Sequence, residues 1–329
     1  MNKSLTGGIL WNEPESVCSG LKYFYGHFEM SLFAFLLIVF SAGLHASWNL
    51  LAKRSTMSIA FYAVICMTAA SMWLHTQLWT PVNVPDLPGA FFVYVLCSVS
   101  FDLCYCLGLV RAYRTMEMST AYPMMRSLPL LLTAAVTSLC SWGAPLTPLA
   151  LLGMGVVFVG CMMMPMKDFS SFNFKDYLSS RMFFIFLVAC GTTGYTICDS
   201  QAQVVLREAY PDLAKPVVSM TFYSTRGIFL STLMGLAVLV FPGEKQNFSS
   251  FFKEKNWMPF AAGAFASLTY ITVLMAMIYV SNVSYVQVFR QLGLIFGLLG
   301  GIFILKERPA LPKFIGVALI ITGLVITVL

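Results

Sequence analysis

Ten apolar segments recur along the chain, and short polar breaks separate them. They lie at about 31–52, 57–78, 89–110, 118–140, 146–166, 182–205, 216–241, 257–280, 283–305 and 312–329. An α-helix needs about 20 apolar residues to cross the hydrocarbon core of a bilayer. Each segment has that length or nearly so, and proline, glycine and charged residues are concentrated in the breaks. The pattern predicts an all-α membrane protein with ten transmembrane helices and no soluble domain.

The second half of the chain repeats features of the first. When Arg126 is aligned with Arg290, residues 125–132 match residues 289–296. Duplicated halves are typical of membrane transporters that are built from internal repeats. Because each half contains five segments, an odd number, the two copies are predicted to lie inverted relative to one another. The predicted units are a tail at 1–29, a first repeat at 30–166 and a second repeat at 182–329.

Regularly spaced glycines predict where helices pack closely. A glycine every four or seven residues exposes the backbone along one helix face, which lets a neighbouring helix approach. The glycines concerned are Gly153 and Gly160 in the fifth segment, Gly293, Gly297 and Gly301 in the ninth, and Gly316 and Gly323 in the tenth. All three faces are expected to touch another helix and to have no contact with a substrate.

The stretch from Ser281 to Leu329 resembles the C-terminal signature of EamA-type transporters, which belong to the drug/metabolite transporter superfamily. A serine-rich helix start leads through an apolar helix to a charged corner at 306–309 and then to a last helix with spaced glycines. The resemblance implies ten helices, of which the fifth and tenth form a scaffold and the other eight surround a central cavity. It does not indicate the substrate.

Composition excludes most other classes of protein. Hydrophobic residues make up 58% of the 329 residues and charged residues only 10%, which is too few charges for a soluble domain. Basic loops beside a bilayer account for the net charge of +6, so no nucleic-acid partner is predicted. The nine cysteines fall mostly in apolar segments as small hydrophobic residues. Sequence motifs of metalloproteases, nucleotide-binding enzymes and serine hydrolases are missing, so we expect neither an enzyme nor a cofactor or metal.

The first 29 residues have mixed composition and lack the apolar core and cleavage site of a signal peptide. They are expected to be a mobile tail, or to precede a true translation start at Met30.

Lysine and arginine are distributed unequally between the two sides of the predicted bundle. The side of the termini carries Lys3, Lys22, Arg207 and Lys215, and the other side carries Lys53, Arg54, Arg111, Arg114, Lys167, Lys175, Arg181, Lys245, Lys253, Lys255, Lys306, Arg308 and Lys313. By the positive-inside rule, both termini lie outside the cytoplasm of a bacterial cell, and the protein lies in its inner membrane. Many members of the superfamily that this chain resembles are drawn with both termini inside. That orientation is opposite to the one the charge distribution predicts, and we follow the charge distribution.

Polar and ionisable residues share helical faces in several segments. Spacings of three or four residues place side chains on the same side of a helix. The residues are His45, Trp48 and Asn49 in the first segment, Asp102 and Tyr105 in the third, Tyr122 and Arg126 in the fourth, Tyr195 and Asp199 in the sixth, Tyr223 and Arg226 in the seventh, Tyr270 in the eighth, and Gln287, Arg290 and Gln291 in the ninth. Ionisable groups at bilayer depth usually face a protein interior or an aqueous cavity. These residues are therefore predicted to line one central cavity and to bind the substrate.

Structural roles compete with that interpretation. Asp102 and Asp199 serve equally well as ion-pair partners that fix helix packing, and His45 as a hydrogen-bonded packing residue or a proton carrier. Arg126 and Arg290 occupy equivalent repeat positions, which favours a place in the cavity. Three arginines against two aspartates leave a positive cavity, and the arginine fork matches a carboxylate or a phosphate.

The resulting hypothesis is a multi-pass secondary transporter that moves a small anionic or zwitterionic metabolite by alternating access. The alternatives are a carrier of lipid-linked sugars or nucleotide sugars, and a membrane receptor or accessory subunit that transports nothing. The expected partners are a small-molecule substrate and the lipid bilayer, and a homodimer is left open. Flux into proteoliposomes separates a transporter from a receptor, and a lipid-linked cargo needs a lateral opening between helices.

Overall fold

The computed structural model describes residues 30–52, 58–116, 118–166, 168–169, 182–303, 306 and 310–329. The side chains of 46–52, 118–120, 122 and 123 lie outside this description. The expectations for residues 1–29 therefore fall outside the described residues.

The described residues are helical almost throughout. The α-helices are α1 (Leu32–Ala52), α2 (Ile59–Trp73), α3 (Thr76–Trp79), α4 (Gly89–Thr115), α5 (Met118–Cys140), α6 (Pro148–Met163), α7 (Met182–Ala209), α8 (Lys215–Val240), α9 (Glu244–Lys253), α10 (Met258–Met277), α11 (Val283–Phe289), α12 (Leu292–Phe303) and α13 (Leu311–Val328). An isolated β-bridge joins Met30 to Val280, and no strand is formed by the described residues. The predicted all-α class is confirmed.

Seven helical stretches are long and apolar enough to cross a membrane. They are α2 with α3 (Ile59–Trp79), α4, α7, α8, α10, α11 with α12 (Val283–Phe303), and α13. The first, fourth and fifth predicted segments correspond to shorter apolar stretches at Leu32–His45, Met124–Leu139 and Pro148–Met163. The described residues thus contain seven candidate membrane spans rather than the ten predicted from the sequence.

Polar residues cap several helices where the chain re-enters the bundle. The Ser58 hydroxyl accepts from the backbone N–H of Phe61 at 3.0 Å at the start of α2. Asn282 caps α11 in the same way, and its amide also donates to the main-chain oxygen of Ala144 at 3.0 Å. Because the first backbone N–H groups of a helix have no intrahelical partner, such side chains decide where each helix begins. The Asn282 contact also joins the loop after α5 to the start of α11.

The surface and interior of the bundle have the polarity expected of a membrane protein. Large apolar side chains project outward along the helices, and among the most exposed are Leu78, Leu139, Val240, Phe303 and Leu311. The interior holds many buried hydroxyl, amide and charged groups. In a soluble domain an apolar surface of this extent is rare, because water penalises it. The seven apolar helices and this distribution indicate a multi-pass membrane protein.

Two glycine contacts explain the close packing of α6 with α13. A Cβ added to Gly160 would lie 2.7 Å from the main-chain oxygen of Gly316, and one added to Gly323 would lie 2.6 Å from that of Gly153. Since a side chain at these positions would force the backbones apart, the close approach of the two helices depends on these glycines. The packing predicted for these four glycines is confirmed.

The glycine face predicted on the ninth segment does not form a helix contact at its centre. A Cβ on Gly297 would have no neighbour within 4 Å, and Gly297 is exposed. At Gly293, by contrast, an added Cβ would lie 3.5 Å from the Arg126 guanidinium and 3.6 Å from the main-chain oxygen of Ala42. The prediction was wrong for Gly297, because the spacing identifies residues that share a face but not what lies opposite that face.

Candidate substrate cavity

Close packing of α4 against α7 positions the charged centre of the bundle. A Cβ on Gly191 would lie 2.7 Å from the backbone of both Phe101 and Tyr105. The same pair of helices carries Asp102 on α4 and Asp199 on α7, and the Ser98 hydroxyl of α4 donates to Asp199. The close approach of α4 and α7 therefore helps to bring the two carboxylates to one shared partner.

That partner is Arg226 of α8. Its Nη2 donates to Asp102 Oδ2 at 2.6 Å, and its Nε donates to Asp199 Oδ1 at 3.0 Å. All three residues are almost inaccessible, since Arg226 is 2% exposed, Asp102 5% and Asp199 0%. An unpaired charge in such a place costs several kcal/mol, so mutual pairing holds all three helices together. We call these three residues the ion cluster.

Hydroxyl groups supply further hydrogen bonds to both carboxylates. Tyr62 of α2 donates to Asp102 Oδ1 at 2.7 Å, and Tyr270 of α10 donates to Asp199 Oδ2 at 2.5 Å. The Ser98 hydroxyl donates to Asp199 as well. Each of the four carboxylate oxygens therefore has at least one donor, which lowers the cost of burying two negative charges.

Tyrosine rings form a wall around the ion cluster. The rings of Tyr195 and Tyr270 have centroids 5.8 and 5.5 Å from the guanidinium carbon of Arg226, within the range of cation–π attraction. Neighbouring ring centroids lie 5.9 Å apart from Tyr105 to Tyr195, from Tyr195 to Tyr270 and from Tyr270 to Tyr223. The four tyrosines therefore form a continuous aromatic row beside the ion cluster.

Two more arginines meet where α5 approaches the break between α11 and α12. Arg126 of α5 donates through Nη2 to the main-chain oxygen of Arg290, and its Nε lies 3.4 Å from Gln291 Oε1. The Gln291 amide donates back to the main-chain oxygen of Arg126 at 3.1 Å. Arg290 Nη1 donates to Gln287 Oε1 at 3.3 Å. The helix is interrupted at residues 290–291, and interruptions at membrane depth are tolerated where the backbone lines a cavity or is buried in protein.

These side chains enclose two adjoining cavities of about 70 Å³ and about 110 Å³. We call the first the arginine lobe, because Arg126 and Arg290 line it together with Gln287 and Gln291. We call the second the tyrosine lobe, and its polar lining is Tyr62, Asp102, Tyr105, Tyr195, Tyr223, Arg226, Thr269 and Tyr270 with His45 and Arg290. His45, Tyr105, Tyr195 and Arg290 line both lobes. A water molecule needs roughly 10–15 Å³, so the lobes have room for a small molecule.

Most of the predicted site residues lie around these lobes. Those that line a lobe are His45, Asp102, Tyr105, Arg126, Tyr195, Tyr223, Arg226, Tyr270, Gln287, Arg290 and Gln291. Asp199 belongs to the ion cluster but lines neither lobe. The side chains of Trp48, Asn49 and Tyr122 lie outside the described part of the chain. Tyr62 also lines a lobe but was not predicted, because it is a single tyrosine in an apolar helix and its polarity was the only available signal.

Comparison with known proteins shows a shared fold. No family model matches the chain, and no curated protein matches it. A solved structure described only as "Crystal structure of protein" is similar to this chain, with a TM-score of 0.63 and 15% sequence identity. The match covers 89% of this chain and 94% of the other chain. At that identity the likeness concerns the fold alone. Fold and cavity together define a multi-pass helical membrane protein with a charged interior.

Proposed function

We propose that this chain is a secondary transporter for a small polar metabolite that carries an anionic group. The observation that carries the proposal is the pair Arg126 and Arg290, which come from distant parts of the chain and line one lobe. Guanidinium groups bind carboxylate and phosphate oxygens through two parallel hydrogen bonds. Among the described residues, Arg290 makes no ion pair with a carboxylate, so its charge is available to a ligand.

The ion cluster supports a division of labour among the three arginines. Arg226 is held by two carboxylates and is nearly inaccessible, which suits it to joining helices. Arg126 and Arg290 are each partly exposed and hydrogen-bond to amide and main-chain oxygens. A ligand anion can replace such neutral acceptors, because hydrogen bonds between charged groups are stronger than those to neutral ones.

The helix packing supports an architecture of two repeats with ten spans. The equivalent helices of the two halves are α1 and α7, α2 and α8, α4 and α10, α5 and α11 with α12, and α6 and α13. If each helix is exchanged with its equivalent, the packed pair α4–α7 becomes α10–α1, and the packed pair α5–α7 becomes α12–α1. The pairs α2–α8, α6–α13 and α5–α11 each map onto themselves. Such an exchange is expected of two inverted repeats around a shared axis, the arrangement from which alternating access arises in many transporters. The EamA-type resemblance and a place in the bacterial inner membrane belong to this proposal.

The experiment that tests the proposal combines binding and flux. Purified protein in lipid nanodiscs is screened by thermal shift against inorganic phosphate, simple carboxylates and amino acids. Each stabilising compound is then loaded, unlabelled, into proteoliposomes, and counterflow uptake of the radiolabelled compound from outside is measured. Uptake above that of empty liposomes supports a transporter. Binding without uptake shows a receptor, and the absence of both contradicts the proposal. Arg111→Gln is a matched control, because Arg111 is exposed near the end of α4 and lines neither lobe.

The size of the lobes argues against the larger cargo. A lipid-linked sugar carries a headgroup and chain that greatly exceed cavities of about 70 and about 110 Å³. A carrier of this kind would also need the headgroup to reach the arginines sideways from the bilayer. The proposal is therefore a small metabolite, and transport of a lipid-linked sugar in the flux assay would overturn that part of it.

A further inference from the structure

When both of its carboxylates are ionised, the ion cluster has one more negative charge than positive. Asp102 and Asp199 share the single guanidinium of Arg226, and no other ion pair with either carboxylate is found among the described residues. The remaining donors, Ser98, Tyr62 and Tyr270, are neutral hydroxyl groups. An uncompensated charge in a low-dielectric interior attracts a cation strongly. Arg290 also lines the tyrosine lobe, so the excess negative charge of the cluster favours a cationic group once Arg290 is paired with the anionic group of a ligand.

The two carboxylates differ in access. Asp102 lines the tyrosine lobe, whereas Asp199 is fully buried and lines neither lobe. Asp102 accepts one hydrogen bond at each oxygen, from Tyr62 and from Arg226. A carboxylate has about four acceptor positions, so Asp102 can accept further hydrogen bonds from a group in the lobe.

The walls of the tyrosine lobe suit a cation as well. Tyr62, Tyr105, Tyr195, Tyr223 and Tyr270 all line it. The faces of aromatic rings carry partial negative charge and attract ammonium and guanidinium groups. Two of these rings, Tyr195 and Tyr270, already lie within cation–π range of the Arg226 guanidinium.

The two lobes adjoin, so one molecule can reach both. Arg290 lines both lobes, and Tyr105 and Tyr195 do as well. We infer that the cargo is a zwitterion, with its anionic group at Arg126 and Arg290 and its ammonium group at Asp102 in the tyrosine lobe. This inference rests on the proposed function and narrows it from anions in general to compounds that also carry an amine. Asp199 is then a positioning residue that holds Arg226 and does not touch the cargo.

The test uses matched probes that differ only in charge. Purified full-length protein is titrated at pH 7 with ω-amino acids from glycine to 6-aminohexanoate and with the carboxylates of equal length from acetate to hexanoate. Butylamine serves as the cation without an anion. We expect the best ω-amino acid to bind about ten-fold or more tighter than its carboxylate, because a hydrogen-bonded ion pair is added. The chain length that binds best reports the distance between the two subsites.

Two substitutions assign the contact. Asp102→Asn keeps the shape and leaves Asp199 paired with Arg226, so the fold is retained while the preference for the amine is lost. Asp199→Asn removes the excess charge of the cluster but keeps the Asp102 carboxylate in the lobe, so the preference for the amine should weaken without being lost. Equal loss of the preference in both variants would overturn the assignment to Asp102.

The remaining outcomes separate this inference from the proposal beneath it. Equal binding of 4-aminobutyrate and butyrate overturns the ammonium subsite and leaves anion transport standing. Calorimetry in buffers with different ionisation enthalpies measures whether the protein takes up a proton when butyrate binds. If one proton is taken up and Asp102→Asn abolishes that uptake, the cluster binds a proton instead of an ammonium group, and the inference of a zwitterionic cargo is wrong. Binding of no probe from either series contradicts both the inference and the proposed anion site.

Discussion

Arg226 and Asp102 form an ion pair of 2.6 Å although they lie 124 positions apart in the chain. Both side chains are almost inaccessible, and the same guanidinium also binds Asp199. Three helices, α4, α7 and α8, are thus joined at one point in the middle of the bundle. Replacing Arg226 is therefore expected to affect the stability of the protein, whereas replacing an arginine of the arginine lobe is expected to affect ligand binding.

Replacing Arg226 with methionine should destabilise the protein severely. The substitution keeps much of the side-chain volume but leaves two buried carboxylates without a cation, and breaking a buried pair costs about 3–5 kcal/mol. The folded yield after size exclusion and the melting temperature in detergent measure the loss. The triple variant Arg226→Met, Asp102→Asn, Asp199→Asn should recover most of it, because no charge is then stranded. A single variant as stable as the wild type would show that the cluster does not join the helices.

Replacing Arg290 should affect transport more than folding. Arg290→Lys keeps the charge but loses the two-pronged fork, so binding of an anionic compound should weaken. Arg290→Ala should reduce binding by roughly 10- to 150-fold, since hydrogen bonds to charged groups contribute about 1.5–3 kcal/mol. Titration of a compound identified by thermal shift gives the affinities, and the melting temperature without ligand controls for stability. A folded Arg290→Ala protein that transports at the wild-type rate would remove the basis of the anion site.

Two glycines of α6 provide a matched test of helix packing. Gly160→Val should destabilise the protein by about 1–3 kcal/mol or more, because its Cβ would lie 2.7 Å from the main-chain oxygen of Gly316. Gly155→Val lies on the same helix, where a Cβ meets nothing within 4 Å, and it should leave the melting temperature nearly unchanged. Similar melting temperatures for the two variants would contradict the close crossing of α6 with α13.

The location of the C-terminus tests the charge distribution of the loops. A phosphatase fused after Leu329 should be active and a fluorescent protein fused there should stay dark, because the positive-inside rule places this end outside the cytoplasm. A fusion at Lys245, on the opposite side, should give the reverse result and serves as the internal control. Fluorescence at Leu329 without phosphatase activity would reverse the predicted orientation.

Much of the helical pattern could be predicted because it depends on neighbours in the sequence. Long apolar segments must form helices in a bilayer, where every backbone group needs a partner within its own segment. The shared faces of Asp102 with Tyr105 and of Arg290 with Gln287 follow from helical spacing in the same way. The close packing at Gly153 and Gly160 was also predictable, because bare backbone at heptad spacing has few other uses.

The tertiary structure decided which residues meet. The sequence contains three arginines and two aspartates at membrane depth, and several pairings among them were equally compatible with helical spacing. Arg226 takes both aspartates because α8 packs beside the crossing of α4 with α7, and that arrangement depends on contacts such as the one at Gly191. The exposed position of Gly297 and the place of Tyr62 beside Asp102 were undetermined for the same reason. Periodicity determines the direction of a side chain from its own helix, whereas its partner is determined by how the other helices pack.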